Sequence, residues 1–156
     1  MKQKGFSLIE LLIVVAIILI IAAIAVPSFL RSRIRANEAS AVASIRLLDT
    51  AAINYSVSYP GVGFPATLNL LGGANPCSAS PASGCLIDNI LAQGAKSGYA
   101  FVWVGDGATP SVSYTIAGTP LTPGSTGQST YCSDQTAVIH FNLSGAACTS
   151  ASPVIQ

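Results

Sequence analysis

Few side chains in this sequence are of types that do chemistry, and they are widely spaced. His140 is the single histidine, and it alternates with Ile139 and Phe141 in a pattern typical of a strand rather than of a catalytic base. No paired carboxylates, nucleophile motif or glycine-rich phosphate loop is present. The four cysteines lack the C-x-x-C spacing that zinc sites use; they are Cys77, Cys85, Cys132 and Cys148. The sequence therefore predicts no catalytic residue, no metal site and no cofactor.

The composition also points away from an enzyme. The chain has 156 residues, enough for about one domain, and 51% of them are hydrophobic. Only 8% are charged, whereas soluble domains usually carry about 25%. Such hydrophobicity excludes an intrinsically disordered chain. A net charge of +1 predicts that no nucleic acid is bound by charge.

The apolar residues are concentrated near the N-terminus. Residues 11–26 are all apolar, and residues 6–26 would measure about 31 Å as a helix, the thickness of a bilayer core. Glu10 lies near the start of this run, where an unpaired carboxylate costs on the order of 3 kcal/mol. A signal peptide cleaved after Ala25 and a permanent single-span anchor are two interpretations. Neither gives Glu10 a partner.

The N-terminal residues MKQKGFSLIELL resemble those of the type IV prepilins and the related pseudopilins. The matching features are a short basic leader that ends in Gly5, then Phe6, then Glu10, and an unbroken apolar helix that reaches Pro27. The resemblance implies that a prepilin peptidase cleaves between Gly5 and Phe6 and methylates the new Phe6 amine. It also implies that the apolar segment is retained.

Cleavage at this point would give Glu10 its missing partner. The α-amine of Phe6 would be a complementary charge, four residues away on the same helix or on a neighbouring one. Opposite charges attract strongly in an apolar filament core because the dielectric constant is low, and each is costly alone. We therefore expect the pair to set the axial register of assembly.

The chain is expected to divide into four segments. Residues 1–5 are the leader, 6–27 form a transmembrane and filament-core helix, and 28–59 form the amphipathic half of the same helix. Pro27 is expected to kink it. Its buried face is predicted to carry Leu30, Ile34, Ala41, Ile45, Leu48, Ala52 and Tyr55. Off that face, Arg35 with Glu38 and Arg46 with Asp49 have the i,i+3 spacing of solvated charge pairs.

Residues 60–156 are expected to form a globular region of loops and antiparallel sheet. Residues 66–71 and 86–93 could form short helical turns, and residues 99–104, 112–117, 129–132 and 137–143 have the pattern of strands. Three or four strands packed on the long helix give an α+β class, which the resemblance identifies as the pilin fold. Trp103 and Tyr114 are expected in the core or on the sheet face.

The cysteines allow three pairings, and an exported region favours disulfides over metal ligands. Proximity in sequence suggests Cys77 with Cys85 and Cys132 with Cys148. The second pair would bound a C-terminal loop like that of many type IV pilins.

The resemblance implies a structural subunit, a major pilin, of a type IV pilus that serves adhesion, twitching motility or DNA uptake. Its expected partners are other copies of itself, the prepilin peptidase, the assembly machinery of the inner membrane, and the membrane before assembly. It would lie in the inner membrane first and in an extracellular filament afterwards. The alternative is a pseudopilin of a type II secretion or competence system. Conduction through stacked aromatics is disfavoured, because aromatic residues are only 7% of the chain.

Overall fold

The structure is a computed structural model that describes residues 6–74 and 76–155. The expected leader, with Gly5 and its bond to Phe6, lies outside the described residues. The chain divides into two compact units, of which the first ends at Arg33 and the second begins at Ile34. Each is described by itself below.

One long helix, α1 (Leu8–Ser58), contributes to both units. It is continuous through Pro27. It ends one residue before the predicted end at Tyr59, whose N–H still donates to the carbonyl of Tyr55 at 2.9 Å. The following Pro60 has no N–H with which to continue the helical ladder. By length and composition, α1 is apolar enough to cross a membrane.

A five-stranded antiparallel sheet forms most of the second unit, with its strands in chain order. The strands are β1 (Ala95–Lys96), β2 (Tyr99–Gly105), β3 (Tyr114–Pro120), β4 (Thr130–Asp134) and β5 (His140–Asn142). The α+β class predicted from the sequence is confirmed. The prediction missed β1, because two residues are too few to show a strand period. A 3-10 helix (Leu68–Leu71) and α2 (Asn89–Ala92) precede the sheet.

The core of the second unit lies between one face of α1 and one face of the sheet. Burial alternates along β2 and β3, as expected for a sheet with one covered face. Five residues of the predicted helix face are buried: Ala41, Ile45, Leu48, Ala52 and Tyr55. Leu30 is 50% exposed, so the buried face begins later along the helix than the period suggested.

The predicted charge pairs on α1 are wrong. Within residues 6–74 and 76–155, the ion pair present joins Lys96 to Asp88 at 2.8 Å. Asp49 is only 3% exposed, because its side chain faces the sheet rather than Arg46. Glu38 is bound to backbone N–H groups instead of Arg35. Weak i,i+3 attraction in water is outweighed here by tertiary hydrogen bonds.

Candidate assembly site

The first unit presents an apolar helix surface with no protein covering it. From residue 6 to residue 33, every side chain is exposed except that of Ala22, which is intermediate. Most of the large side chains here are aliphatic, and several are more than half exposed; they include Leu8, Ile9, Leu12, Leu19, Ile20 and Ile24. Exposed apolar patches of this extent mark membrane or protein contact sites. We call residues 6–26 the apolar segment.

Phe6 and Glu10 stand at the start of the apolar segment. Phe6 precedes α1 and is 81% exposed, and the carbonyl of Ser7 accepts from the N–H of Leu11 at 3.2 Å. Glu10 lies in the first turn of the helix, where a negative charge is favoured by the unpaired N–H groups of the helix end. Within the described residues Glu10 has no ion pair.

A buried carboxylate that the sequence analysis missed lies in the second unit. Oδ1 of Asp49 accepts from the Tyr114 hydroxyl at 3.0 Å, and Oδ2 accepts from the Ser133 hydroxyl at 2.8 Å. These bonds join α1 to β3 and β4. Burial raises the pKa of Asp49 to about 6, although the two hydrogen bonds oppose the rise. Its spacing from Ile45 and Ala52, four and three residues away, could have placed it on the buried face.

One turn of α1 holds the loop between β3 and β4. Oε1 of Glu38 accepts from the N–H groups of Gln128 and Ser129 at 3.0 and 3.1 Å. The side chain of Asn37 donates to the carbonyl of Thr126 at 2.8 Å. A carboxylate that accepts backbone N–H groups forms a strong charge-assisted hydrogen bond, so Glu38 fixes the loop to the helix.

Both disulfides lie in the second unit. The structure joins Cys77 to Cys85, with Cα atoms 6.0 Å apart, and Cys132 to Cys148, with Cα atoms 5.6 Å apart. These are the pairs that proximity in sequence suggested. The second disulfide connects β4 to the segment after β5, and therefore bounds a C-terminal loop.

His140 lies inside this C-terminal region, on β5. Its Nδ1 is 2.6 Å from the carbonyl oxygen of Ser152, and the residue also forms a bridge with Val154. The ring therefore links β5 to the C-terminal segment, and within residues 6–74 and 76–155 it forms no hydrogen bond with a carboxylate or a hydroxyl group. Its role in the structure is to hold the C-terminal strand pairing.

Trp103 and Tyr114 lie on neighbouring strands, and their rings are stacked. The ring centroids are 4.4 Å apart and the planes differ by 12°. Tyr114 is 1% exposed, and Trp103 is half-buried against the core. The predicted core or sheet-face position therefore holds for both residues.

The family model and the matched relatives each cover a third of the chain or less. Residues 1–26 match the family model described as the prokaryotic N-terminal methylation motif. The type IV major pilin protein PilA of Myxococcus xanthus is 48% identical over 50 residues, which are 32% of this chain and 23% of that protein. A fimbrial protein of Pseudomonas aeruginosa is 54% identical over 50 residues, 32% of each chain. The type IV wide pilus major component PilA4 of Thermus thermophilus is 60% identical over 37 residues, 24% of this chain and 28% of that protein.

The matched segments thus span less than a third of the length of these relatives. No solved structure matches the chain at a significant level. The residues that the family model covers, 1–26, include Gly5, Phe6 and Glu10, which carry the resemblance found in the sequence, and the fold is a long N-terminal helix with an antiparallel sheet. The resemblance is confirmed: the chain carries the N-terminal segment of a type IV pilin.

Proposed function

We propose that this chain is a major structural subunit of a type IV pilus and that it polymerises through α1. The observation that carries the proposal is the exposure of the apolar segment, which the chain itself leaves uncovered. Each large aliphatic side chain that leaves water contributes about 1.5–3 kcal/mol. The segment therefore needs a lipid bilayer or other copies of the same helix around it.

Each of the four segments of the chain has its own role in this assembly. The prepilin peptidase removes residues 1–5 and methylates Phe6, and residues 6–27 lie in the inner membrane until the assembly machinery extracts them. In the filament the same residues form the core, with a kink at Pro27. Residues 28–59 continue the helix, and residues 60–156 form the outer surface. The filament then serves adhesion, motility or DNA uptake.

Glu10 supplies the register of this assembly. A subunit that leaves the membrane carries a buried carboxylate in an apolar core, where an isolated charge is very costly. The Phe6 amine of an adjacent subunit cancels that cost only when the two helices are aligned along the filament axis. The pair therefore selects one axial offset from the many that a smooth apolar surface would accept.

The test of this proposal is filament assembly in cells that carry Glu10→Gln. The glutamine keeps the size of the side chain and its hydrogen-bonding capacity but removes the charge. We expect the variant to accumulate in the membrane and to yield few or irregular filaments. The matched control is Asp88→Asn, which removes an exposed carboxylate of the second unit and should assemble normally. Normal yield and regularity for Glu10→Gln would contradict the register proposal.

In the filament the chain has a mechanical function: the apolar segment supplies cohesion, and the disulfide-bonded second unit supplies the surface that meets the surroundings. That surface has few charges, since only Asp88, Lys96, Asp106 and Asp134 are charged after Tyr59. A nearly neutral surface favours association between molecules, which suits a filament whose subunits pack side by side.

A further inference from the structure

Three side chains of the second unit form a connected series from the edge of the core to its centre. Trp103 is the single tryptophan of the chain and is half-buried; its Nε1 donates to the carbonyl of Pro65 at 2.8 Å. Its ring stacks on that of Tyr114 with the centroids 4.4 Å apart. The Tyr114 hydroxyl donates to Oδ1 of Asp49 at 3.0 Å. Stacking brings the two easily oxidised rings into contact, and the hydrogen bond gives the phenol a base.

The hydrogen bond matters because a neutral phenol is hard to oxidise without losing its proton. Burial and the neighbouring carboxylate of Asp49 raise the pKa of Tyr114 well above its ordinary value, so the phenol stays protonated at any physiological pH. Removal of an electron makes the phenolic proton strongly acidic. A carboxylate already within hydrogen-bond distance can take that proton without any rearrangement of the core.

We propose that Trp103, Tyr114 and Asp49 form a proton-coupled electron relay that moves an oxidising equivalent from Trp103 to Tyr114. A one-electron oxidant of the metal-complex class, such as a ruthenium(III) tris-bipyridyl ion, removes an electron from the indole and is itself reduced to ruthenium(II). An electron then passes from Tyr114 to the indole radical cation, and the phenolic proton moves to Oδ1 of Asp49. The products are a neutral indole, a neutral tyrosyl radical and a protonated carboxyl group. One O–H bond breaks and one forms, and one electron leaves the protein.

The geometry also determines that the oxidising equivalent moves from Trp103 to Tyr114 and that it goes no further. The indole N–H of Trp103 faces a carbonyl oxygen, which is too weak a base to take its proton, whereas the phenol of Tyr114 faces a carboxylate. The other ring against Tyr114 is Phe64, with centroids 4.8 Å apart, and a phenyl ring has no hydroxyl to oxidise. The radical therefore stops at Tyr114, and the half-buried indole of Trp103 is returned to its reduced form.

The pH dependence follows from the surroundings of Asp49. The groups that face it are the Tyr114 hydroxyl from β3 and the Ser133 hydroxyl from β4, with the carboxylate of Asp134 next along β4. On its own helix, Arg46 is exposed and forms no ion pair with it. Because the pKa of Asp49 is about 6, the share of molecules with an ionised acceptor changes by about tenfold between about pH 5 and about pH 7.

The test is laser flash photolysis of the full chain in detergent micelles, with photo-oxidised ruthenium tris-bipyridyl as the one-electron oxidant. Because the chain has one tryptophan, the tryptophan radical reports Trp103 alone. We expect its absorption to decay as that of a tyrosyl radical grows, at a rate independent of protein concentration. The amplitude or rate of this phase should fall about tenfold from about pH 7 to about pH 5, in step with protonation of Asp49.

Three variants separate the relay from simple stacking. Tyr114→Phe keeps the ring and should abolish the coupled tyrosyl phase, and Asp49→Asn keeps the shape of the acceptor but should slow the phase at pH 7 and remove its pH dependence. The matched control is Tyr131→Phe, which removes a hydroxyl from a buried ring that lies against Tyr99, and should change nothing. An unchanged tyrosyl phase in Tyr114→Phe, or an unchanged rate in Asp49→Asn, would overturn the relay. The relay lies within the second unit and does not depend on filament assembly.

Discussion

Asp49 is expected to make the stability of the second unit depend on pH in an unusual direction. Most carboxylates have a lower pKa in the folded state, but burial raises the pKa of Asp49 to about 6, against about 3.9 for an ordinary aspartate. The folded chain therefore binds a proton more tightly than the unfolded chain between about pH 4 and pH 6. The free energy of unfolding must then fall as the pH rises through this range.

The size of the effect follows from the difference between the two pKa values. One pKa unit corresponds to about 1.4 kcal/mol, so ionisation of the buried carboxyl costs the folded state about 3 kcal/mol at neutral pH. Asp49→Asn removes that cost, because an amide can accept from Tyr114 through its oxygen and donate to Ser133 through its nitrogen. We expect the variant to be more stable than the natural chain by up to about 3 kcal/mol at pH 7 and equally stable near pH 4.

Urea unfolding of the full chain in detergent, followed by Trp103 fluorescence at a series of pH values, measures this difference. Asp49→Ala is the informative comparison, since it removes the charge but leaves two buried hydroxyls without a partner, at about 1–3 kcal/mol each. It should be less stable than Asp49→Asn at every pH. The reasoning is refuted if the difference between the natural chain and Asp49→Asn is the same at pH 4 and pH 7.

Further predictions concern the disulfides and the loops. Replacing Cys132 and Cys148 together by serine should lower the free energy of unfolding by about 3 kcal/mol. Replacing Cys77 and Cys85 should lower it by about 2.5 kcal/mol, because the loop that this disulfide closes is shorter; equal denaturation midpoints would contradict the dependence on loop length. Asp106 accepts from the N–H groups of Ala108, Val112 and Ser113, which lowers its pKa; Asp106→Asn should therefore speed hydrogen exchange in the turn from β2 to β3 while exchange in α1 stays unchanged. Glu38→Ala should raise hydrogen exchange at Gln128 and Ser129, and Glu38→Gln, which keeps one acceptor oxygen, should raise it less. Exchange at these two residues that stays equal to that of the natural chain in both variants would show that Glu38 does not hold the loop.

The class of fold could be predicted from the sequence because its signals are local. The 3.6-residue period placed Ile45, Leu48 and Tyr55 on the buried face of α1, and Pro60 marked the end of the helix within two residues. Runs of residues that favour strands located β2 within one residue and β3 within three residues at either end. These patterns depend on near neighbours in the chain, which the sequence displays directly.

The predictions that failed depend on contacts between distant residues. The spacing of Asp49 from Arg46 predicts a solvated charge on the helix. Only the sheet that covers Asp49, with the hydroxyl groups of Tyr114 and Ser133, makes it a buried hydrogen-bond acceptor. Glu38 has the same i,i+3 spacing to an arginine, yet it binds the backbone of a loop some 90 residues away. β1 is too short to carry a pattern of its own. Spacing along the helix gives the direction of a side chain but not its partner.

The most direct test of the central proposal is the N-terminus of the subunit in its assembled form. Filaments sheared from the cells that produce this chain should contain it as an abundant component, and its intact mass and first residue can be measured together. We predict a chain that begins at methylated Phe6. A chain that begins at Val26 would contradict it, because the apolar segment would then be a discarded signal peptide. A chain that begins at Phe6 but is confined to the cell envelope would contradict the pilus assignment and favour a pseudopilin.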